Sequence, residues 1–560
     1  MSLLRRRSGS GRIVVLGVVL VCALCSGAFG QPWDGSGDAN DPYQIWDAND
    51  MQAIGANPND WDKDFKLMAD IDLSDYTGDE FNVIGIDSSD PFTGTFDGNG
   101  RTISNFTYSS TSVRYIGIFG YIYGSNAEIK DLHLIDPNVS IGTASYTYIG
   151  ALAGLLYNGK VTGCCVEGGT ISGHYRVGGL LGVKGGTVEN CHSSANVSGD
   201  WRVGGLMGTN SGSTINCTSS GAVSGTEEVG GLVGWNGNGT INQCVSTCAV
   251  SGQSNVGGLV GHNDVTICDS YSACSVDGRD HVGGLVGFNE LGTVANCHSA
   301  GNVTGSAYYV GGLAGLNDGT ISECTSSALV AGDDSVGGLV GHNREGTASN
   351  CYAVGDVTGS GIYIGGLVGQ NYPVIVGPLT LSSELNGYNH FKMLTEGNGN
   401  GTLSKCYSTG WVWGDDYVGG LVGRNNLGGM ILDSFWDVNS SGTDTSDGGT
   451  GLTTTEMQTR STFTDAGWDF VGEVINGPND IWHICEGTNY PKFAWQIPAG
   501  DLACPDGVTL VDFSVLGTAW YSGPGDGNWD PNCDISEPND NLIDERDLRV
   551  FVGNYLEGIL

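Results

Sequence analysis

One 24-residue unit governs what this chain can fold into. Residues 282–305, VGGLVGFNELGTVANCHSAGNVTG, recur along most of its length with small changes. The opening hexad returns at Val177, Val203, Val229, Val256, Val310, Val336, Ile364 and Val418, and in weaker form at Ile116 and Ile149. Most spacings are 26 to 28 residues. A period of that size means supersecondary units that bury their apolar faces only by stacking on one another.

Each unit holds three short β-type segments, in the quoted copy 282–287, 293–297 and 301–304, separated by Gly or Asn. None has the length or the 3.6-residue periodicity of a helix. The expected fold is all-β, a right-handed parallel β-solenoid of about 26-residue coils with terminal caps. Coils stacked at ~4.8 Å would make about eleven of them a rod roughly 50 Å long. The 95 glycines are periodic but do not fall at every third residue, so they mark turns and tight strand contacts rather than collagen.

Two further positions repeat with the hexad. Asn210, Asn236, Asn263, Asn289, Asn317, Asn343, Asn371 and Asn425 would stack into a row of amides. Cys164, Cys191, Cys217, Cys244, Cys268, Cys297, Cys324, Cys351 and Cys406 read as a second ladder of small buried thiols, one per coil. Cys248 and Cys274 also share a register, and neighbouring rungs bring Cα atoms within reach of a disulfide.

The flanks differ. Residues 1–30 read as a signal peptide, with Arg5, Arg6, Arg7 and Arg12 before an apolar run at 13–24 and small residues before Gln31. That run is short for a membrane span, so a secreted or cell-surface protein without a transmembrane anchor is expected. Residues 31–110 read as an N-terminal cap containing a short helix from Asp47 to Gly55. The array covers 111–440, with an insertion at about 373–401. Residues 441–500, rich in Trp and Phe, read as the C-terminal cap. Net charge is −39, and loss of the four leader arginines would take it to −43, which excludes a nucleic-acid partner.

Residues 501–560 contain a duplication, in which 512–520 aligns with 547–555, and each copy follows an acidic loop. An acidic loop before a helix, twice, is the logic of paired calcium sites. Candidate ligands are Asp534, Ser536, Asp540, Asp544 and Asp547 in the second loop, and Asp501, Asp506 and Asp512 in the first. Cys504 and Cys533, one in or near each loop, could join the halves.

The repeat resembles the GLUG family, whose Gly-Leu-x-Gly appears as Gly284-Leu285-Val286-Gly287. The flanking motifs at 69–74, 94–100, 434–437 and 466–470 are similar to those of bacterial GLUG proteins. The resemblance implies an extracellular β-solenoid and no particular activity. Some GLUG repeats accompany metallopeptidases that cleave immunoglobulin A, but none of the nine histidines here lies in a His-Glu-x-x-His motif. The C-terminal duplication resembles a type I dockerin, an EF-hand-like module. That resemblance implies calcium as cofactor and a cohesin-like partner.

Three functions follow. The first is a non-catalytic binding or scaffold protein of the cell surface. The residue before each hexad is Tyr115, Tyr148, Arg176, Arg202, Glu228, Asn255, His281, Tyr309, Ser335, Tyr363 or Tyr417. With the hexad Val inside, this row faces out, and Tyr148, Tyr309, Tyr363 and Tyr417 become candidate contacts for a glycan or a surface protein. The second is a polysaccharide lyase or glycoside hydrolase, for which the acidic candidates are Asp280 beside Arg279 and His281, Asp333 with Asp334, and Asp415 with Asp416. Adjacent residues of a strand face opposite ways, so such doublets do not by themselves make a catalytic pair. The third is a structural wall or matrix component.

Overall fold

The structure is a computed structural model and describes residues 33–110, 113–142, 147–372, 401–426, 428–473, 475–497, 510–524, 533, 535 and 542–557. The leader at 1–30 and nearly all of the insertion at 373–401 lie outside the described residues.

The array is a parallel β-solenoid of about 13 turns. Two of its faces are eleven-stranded sheets in which every strand pairs with its counterpart one coil away, as in Val256↔Val282↔Val310 and Val260↔Val286↔Ala314. The hexad is not one strand. It divides into Asp280–Gly283 and Val286–Asn289, one in each eleven-stranded sheet. The chain bends between them because glycine lets backbones meet. A Cβ on Gly283 would stand 1.9 Å from the Val286 carbonyl oxygen, and one on Gly284 would stand 2.1 Å from that of Gly312 in the next coil. The remaining face carries Thr293–Ala295 and His298–Gly305.

Residues 31–110 do more than cap. Tyr43–Ile45, Asp64–Leu67 and Thr95–Ser104 stack in parallel ahead of the first GLUG-like coil, with Tyr43↔Phe65↔Phe96↔Ile129 in register. They form early coils with larger side chains, which hides the period from the sequence. The expected helix forms at Ala48–Ala56, with Asp47 accepting the Asn49 and Asp50 amides. The insertion leaves the stack in register, since Thr402 pairs with Thr347.

Residues 441–500 both extend the stack and fold back along its flank. Phe435 pairs with Thr450 at the end. Trp468, Trp482, Phe463, Phe470 and Phe493 cover Tyr352, Tyr407 and Phe435 on the side of three successive coils. The Tyr352 hydroxyl donates to Gln496 at 2.8 Å, and the Trp468 indole donates to the Asp433 carbonyl at 2.9 Å.

From Arg176 onward, each coil turns twice through a left-handed residue. One row precedes the inner Cys or Ser: Asn190, Asn216, Gln243, Asp269, Asn296, Glu323, Asn350, Lys405 and Asp433, with φ from 48° to 54°. The thiol then closes the corner. Cys191, Cys217, Cys244, Cys297, Cys324, Cys351 and Cys406 each donate to the carbonyl two residues back, at 3.1 to 3.2 Å. Cys268 is a correction: it pairs with Asn242 and Ala295, two places before the ladder, and Ser270 takes the ladder position. Cys248 and Cys274 are also corrected. They remain thiols, because each sulfur donates to a carbonyl, Cys248 to Gly231 at 3.2 Å and Cys274 to Gly258 at 3.1 Å. Of the expected Cys504–Cys533 pair, Cys504 lies outside the described residues. Cys533 is a thiol packed with Leu516, Ala519, Ile543 and Phe551, while Cys485 is disulfide-bonded.

The amide ladder forms in full. Asn210, Asn236, Asn263, Asn289, Asn317, Asn343 and Asn371 each donate Nδ2 to the Oδ1 of the next, at 2.7 to 2.9 Å. All amides therefore point the same way, with oxygen toward the N-terminal end. There Lys184, fully buried, donates to Asn210 Oδ1 and Thr214 Oγ1, both at 2.9 Å.

Burial pushes the Lys184 ammonium from an ordinary 10.5 down to about 7. Between those values the unfolded chain binds a proton that the folded chain does not, so this group makes stability rise with pH from about 7 to about 10. Urea midpoints at neutral and alkaline pH should show the rise, worth about 5 kcal/mol at most. Lys184→Met should remove this component, and an identical pH slope in the variant would count against a neutral lysine.

Candidate ligand-binding stripe

From Arg176 onward, the residue before the hexad is the second left-handed corner. Arg176, Arg202, Glu228, Asn255, His281, Tyr309, Ser335, Tyr363 and Tyr417 have φ between 51° and 68°. The inward Val that follows fixes the corner, and the corner throws its own side chain outward. Register stacks these side chains along one edge of the rod.

Three patches result. Near the N-terminal end Tyr148 stacks on Tyr115 at 5.0 Å, and Arg176 lies over Tyr148 at 4.8 Å. Arg202 lies 3.9 Å from the Trp235 ring. In the middle Tyr309 stacks on His281 at 5.4 Å with planes 3° apart, and on its other side meets His342 at 4.6 Å. Toward the C-terminal end Tyr363 and Tyr417 are 5.3 Å apart, with Arg424 over Tyr417 at 5.4 Å. The four tyrosines expected from the sequence thus lie on one edge, Tyr148 in the first patch, Tyr309 in the second, Tyr363 and Tyr417 in the third. Tyr417 is exposed and the other three are half-buried by their stacking partners.

The sequence reading missed the companion row, Trp235, His262, Phe288, Leu316, His342, Gln370 and Arg424, which sit one in each successive coil. Each directly precedes a ladder Asn, so the repeat alignment does contain the signal. Alternation along the strand points them to the same side as the corner residues.

Charge gathers between the first and second patches. Glu228 is 6% exposed and accepts from Arg202 Nε at 2.6 Å and from the Trp201 indole at 2.9 Å. His262 Nδ1 lies 3.3 Å from Glu228, and its Nε2 lies 3.0 Å from Asp264 and 3.1 Å from Glu290. Burial opposes a charge on His262, but the three surrounding carboxylates outweigh it and hold its pKa well above the ordinary imidazole value. Burial also disfavours the Glu228 carboxylate, and His262 and Arg202 reverse that, leaving its pKa lowered. Elsewhere burial wins: His281 is pushed down to about 4 and His342 to about 3.

The acidic doublets do not converge. Asp333 accepts from Ser360, Asp334 from the Ile362 amide, and Asp280 pairs with its neighbour Arg279 at 3.6 Å. A cleft of about 530 Å³ opens on the flank, where Tyr271 and His298 stack at 5.2 Å with Trp495 and Gln496 of the C-terminal region also lining it.

Of the expected calcium ligands, Asp501, Asp506, Asp534, Ser536 and Asp540 lie outside the described residues, as does the side chain of Asp512, within helix Leu510–Thr518. Asp544 and Asp547 begin helix Glu545–Glu557. Asp547 is buried, its Oδ1 accepting from the Ile535 amide at 2.7 Å and its Oδ2 from the Asp544 amide at 2.8 Å.

This is a parallel β-solenoid that carries GLUG-motif repeats. The GLUG motif matches residues 278–304, 306–330 and 332–358, which run through the middle patch. Over 154 residues the chain is 32% identical to Halomucin of Haloquadratum walsbyi, 26% of this chain and 2% of that protein. Over 147 residues it is 31% identical to a protein of Evansella cellulosilytica named as a Gly-rich membrane protein, 25% of this chain and 13% of that one. The chain thus spans a small part of either relative. A solved structure from Bacteroides ovatus, named as an immunoglobulin A1 protease, aligns over 82% of this chain and 94% of its own at 18% identity and a TM-score of 0.32. A likeness at that level carries no argument. No helix of the described residues is long and apolar enough to cross a membrane.

Arg202→Ala should lower stability by about 2 kcal/mol, because it strips a buried carboxylate of its guanidinium partner. Adding Glu228→Gln should recover part of that loss. Urea unfolding of both variants checks this, and purely additive effects would mean the pair is not coupled.

Proposed function

We propose that this is a secreted or cell-surface, non-catalytic binding and scaffold protein whose aromatic and cationic edge takes an extended ligand, a polysaccharide above all. The contrast between the two corners carries this reading. Both need a left-handed backbone, which Asn and Asp tolerate best and bulky side chains tolerate poorly. The inner corner uses Asn or Asp at six of its nine positions, Asn190, Asn216, Asp269, Asn296, Asn350 and Asp433, with Gln243, Glu323 and Lys405 at the other three. The outer corner has only Asn255 of that kind and otherwise carries Arg, Glu, His, Ser and Tyr. Tyr309, Tyr363 and Tyr417 accept strain that an Asn would relieve, which makes sense when the side chain is needed outside the rod. Stacked rings and guanidinium planes at coil spacing suit the apolar faces of successive sugar rings.

Substitution by Asn separates binding from folding. Tyr309→Asn and Tyr363→Asn should keep stability within about 0.5 kcal/mol of the parent or raise it. Together they should weaken glycan-array binding at least about tenfold, or roughly 1.4 kcal/mol. Unchanged binding would retire the stripe as the contact surface.

The C-terminal helices add attachment to this reading. Residues 501–560 would hold calcium through the second loop, at Asp534, Ser536, Asp540, Asp544 and Asp547, with the first loop as a second site, and would dock to a cohesin-like protein. Two observations favour it: the helix after each acidic loop, and the buried Asp547 that ties its loop to the helix start. Calcium should raise the melting temperature of these helices in the full chain, and Asp547→Asn should abolish the rise. No calcium response in the parent protein would remove the docking module.

A further inference from the structure

We propose that His262, Asp264 and Glu290 form a binding site for one divalent transition-metal ion on the edge of the solenoid, independent of the calcium loops and of the glycan reading. Their three ligand atoms lie within 4.8 Å of one another. The two distances from Nε2, 3.0 Å to Asp264 Oδ1 and 3.1 Å to Glu290 Oε2, define the shape. Ligands at ~2.1 Å from a metal and near right angles to one another stand about 3.0 Å apart. The imidazole nitrogen therefore stands at adjacent-ligand spacing from both carboxylate oxygens, and all three atoms lie close enough together to share one ion.

A single proton on Nε2 can be directed at only one of the two carboxylates beside it. Nε2 has one in-plane direction, and its hydrogen bond goes to Glu290. Asp264 Oδ1 is shielded from solvent and receives no hydrogen bond, although Nε2 is close. A cation in place of the Nε2 proton contacts both carboxylates, and the displaced proton goes to solvent.

The surroundings match those of metal ligands. Histidines that bind metals donate their other ring N–H to a carboxylate, and ligating carboxylates are themselves held by hydrogen bonds. Here Nδ1 faces Glu228 at 3.3 Å, and Glu228 is anchored by Arg202. The Trp235 indole holds Asp264 Oδ2 at 2.9 Å, which turns Oδ1 toward the site. Phe288 stacks on the imidazole at 4.9 Å and fixes its plane. One imidazole and two carboxylates suit zinc, manganese or iron rather than calcium, which takes oxygen alone, or copper(I), which prefers sulfur.

The test uses the full chain, stripped with chelator, dialysed and titrated with zinc, then with cobalt as a spectroscopic probe. The parent protein should bind one equivalent more than His262→Ala, Asp264→Asn and Glu290→Gln, each checked for folding by circular dichroism. The isosteric Asp264→Asn and Glu290→Gln stand if His262→Ala misfolds. The cobalt spectrum of that equivalent should lack thiolate charge-transfer absorption, which excludes the cysteine-containing group His133, Cys165 and Glu167. Equal metal content in the parent and variants, or a thiolate band on the extra equivalent, overturns the proposal.

Discussion

Everything in this molecule depends on strict register between coils. Backbone hydrogen bonds join each strand to the same strand one period away, so each side chain stands on its own counterpart. A row then behaves as one object. Eleven hydrocarbon side chains in a row make a core, eight asparagines make a chain of amides, and a thiol or hydroxyl at each inner corner closes the turn. One slip would break every row at once, which is why the insertion at 373–401 leaves Thr347 and Thr402 still paired.

The same constraint divides the surface. Positions that face in are held by the row above and below. Positions that face out inherit alignment without inheriting identity. That is why Tyr148, Arg176, Glu228 and His281 can differ and still share an edge. The His262 group arises because Asp264 and Glu290 occupy equivalent places on consecutive coils, each just after a ladder Asn. Two carboxylates one coil apart, with an imidazole between, converge because of stacking and need no special loop.

The sequence made the solenoid, the amide ladder and the outward tyrosines legible, because each depends on a residue type repeated at one period. It hid whatever broke that uniformity. The coils before residue 111 were missed because Phe65 and Phe96 stand where later coils carry Val or Ile. Cys268 looked like a ladder member because it is a cysteine near the expected place, yet the corner residue Asp269 sets the count. The Cys248–Cys274 bridge failed for a directional reason: in-register side chains run parallel, and both sulfurs point at carbonyls. The companion row around His262 was readable but silent until the corners showed which way it faced.

Lys184 gives the rod a seam. The positions below it in the same row are Leu156 and Ile122, and those above are the asparagines. A column of hydrocarbon therefore meets a column of aligned dipoles at a single buried amine. On one side the coils adhere by dispersion alone at this position, on the other by a directional chain of amides.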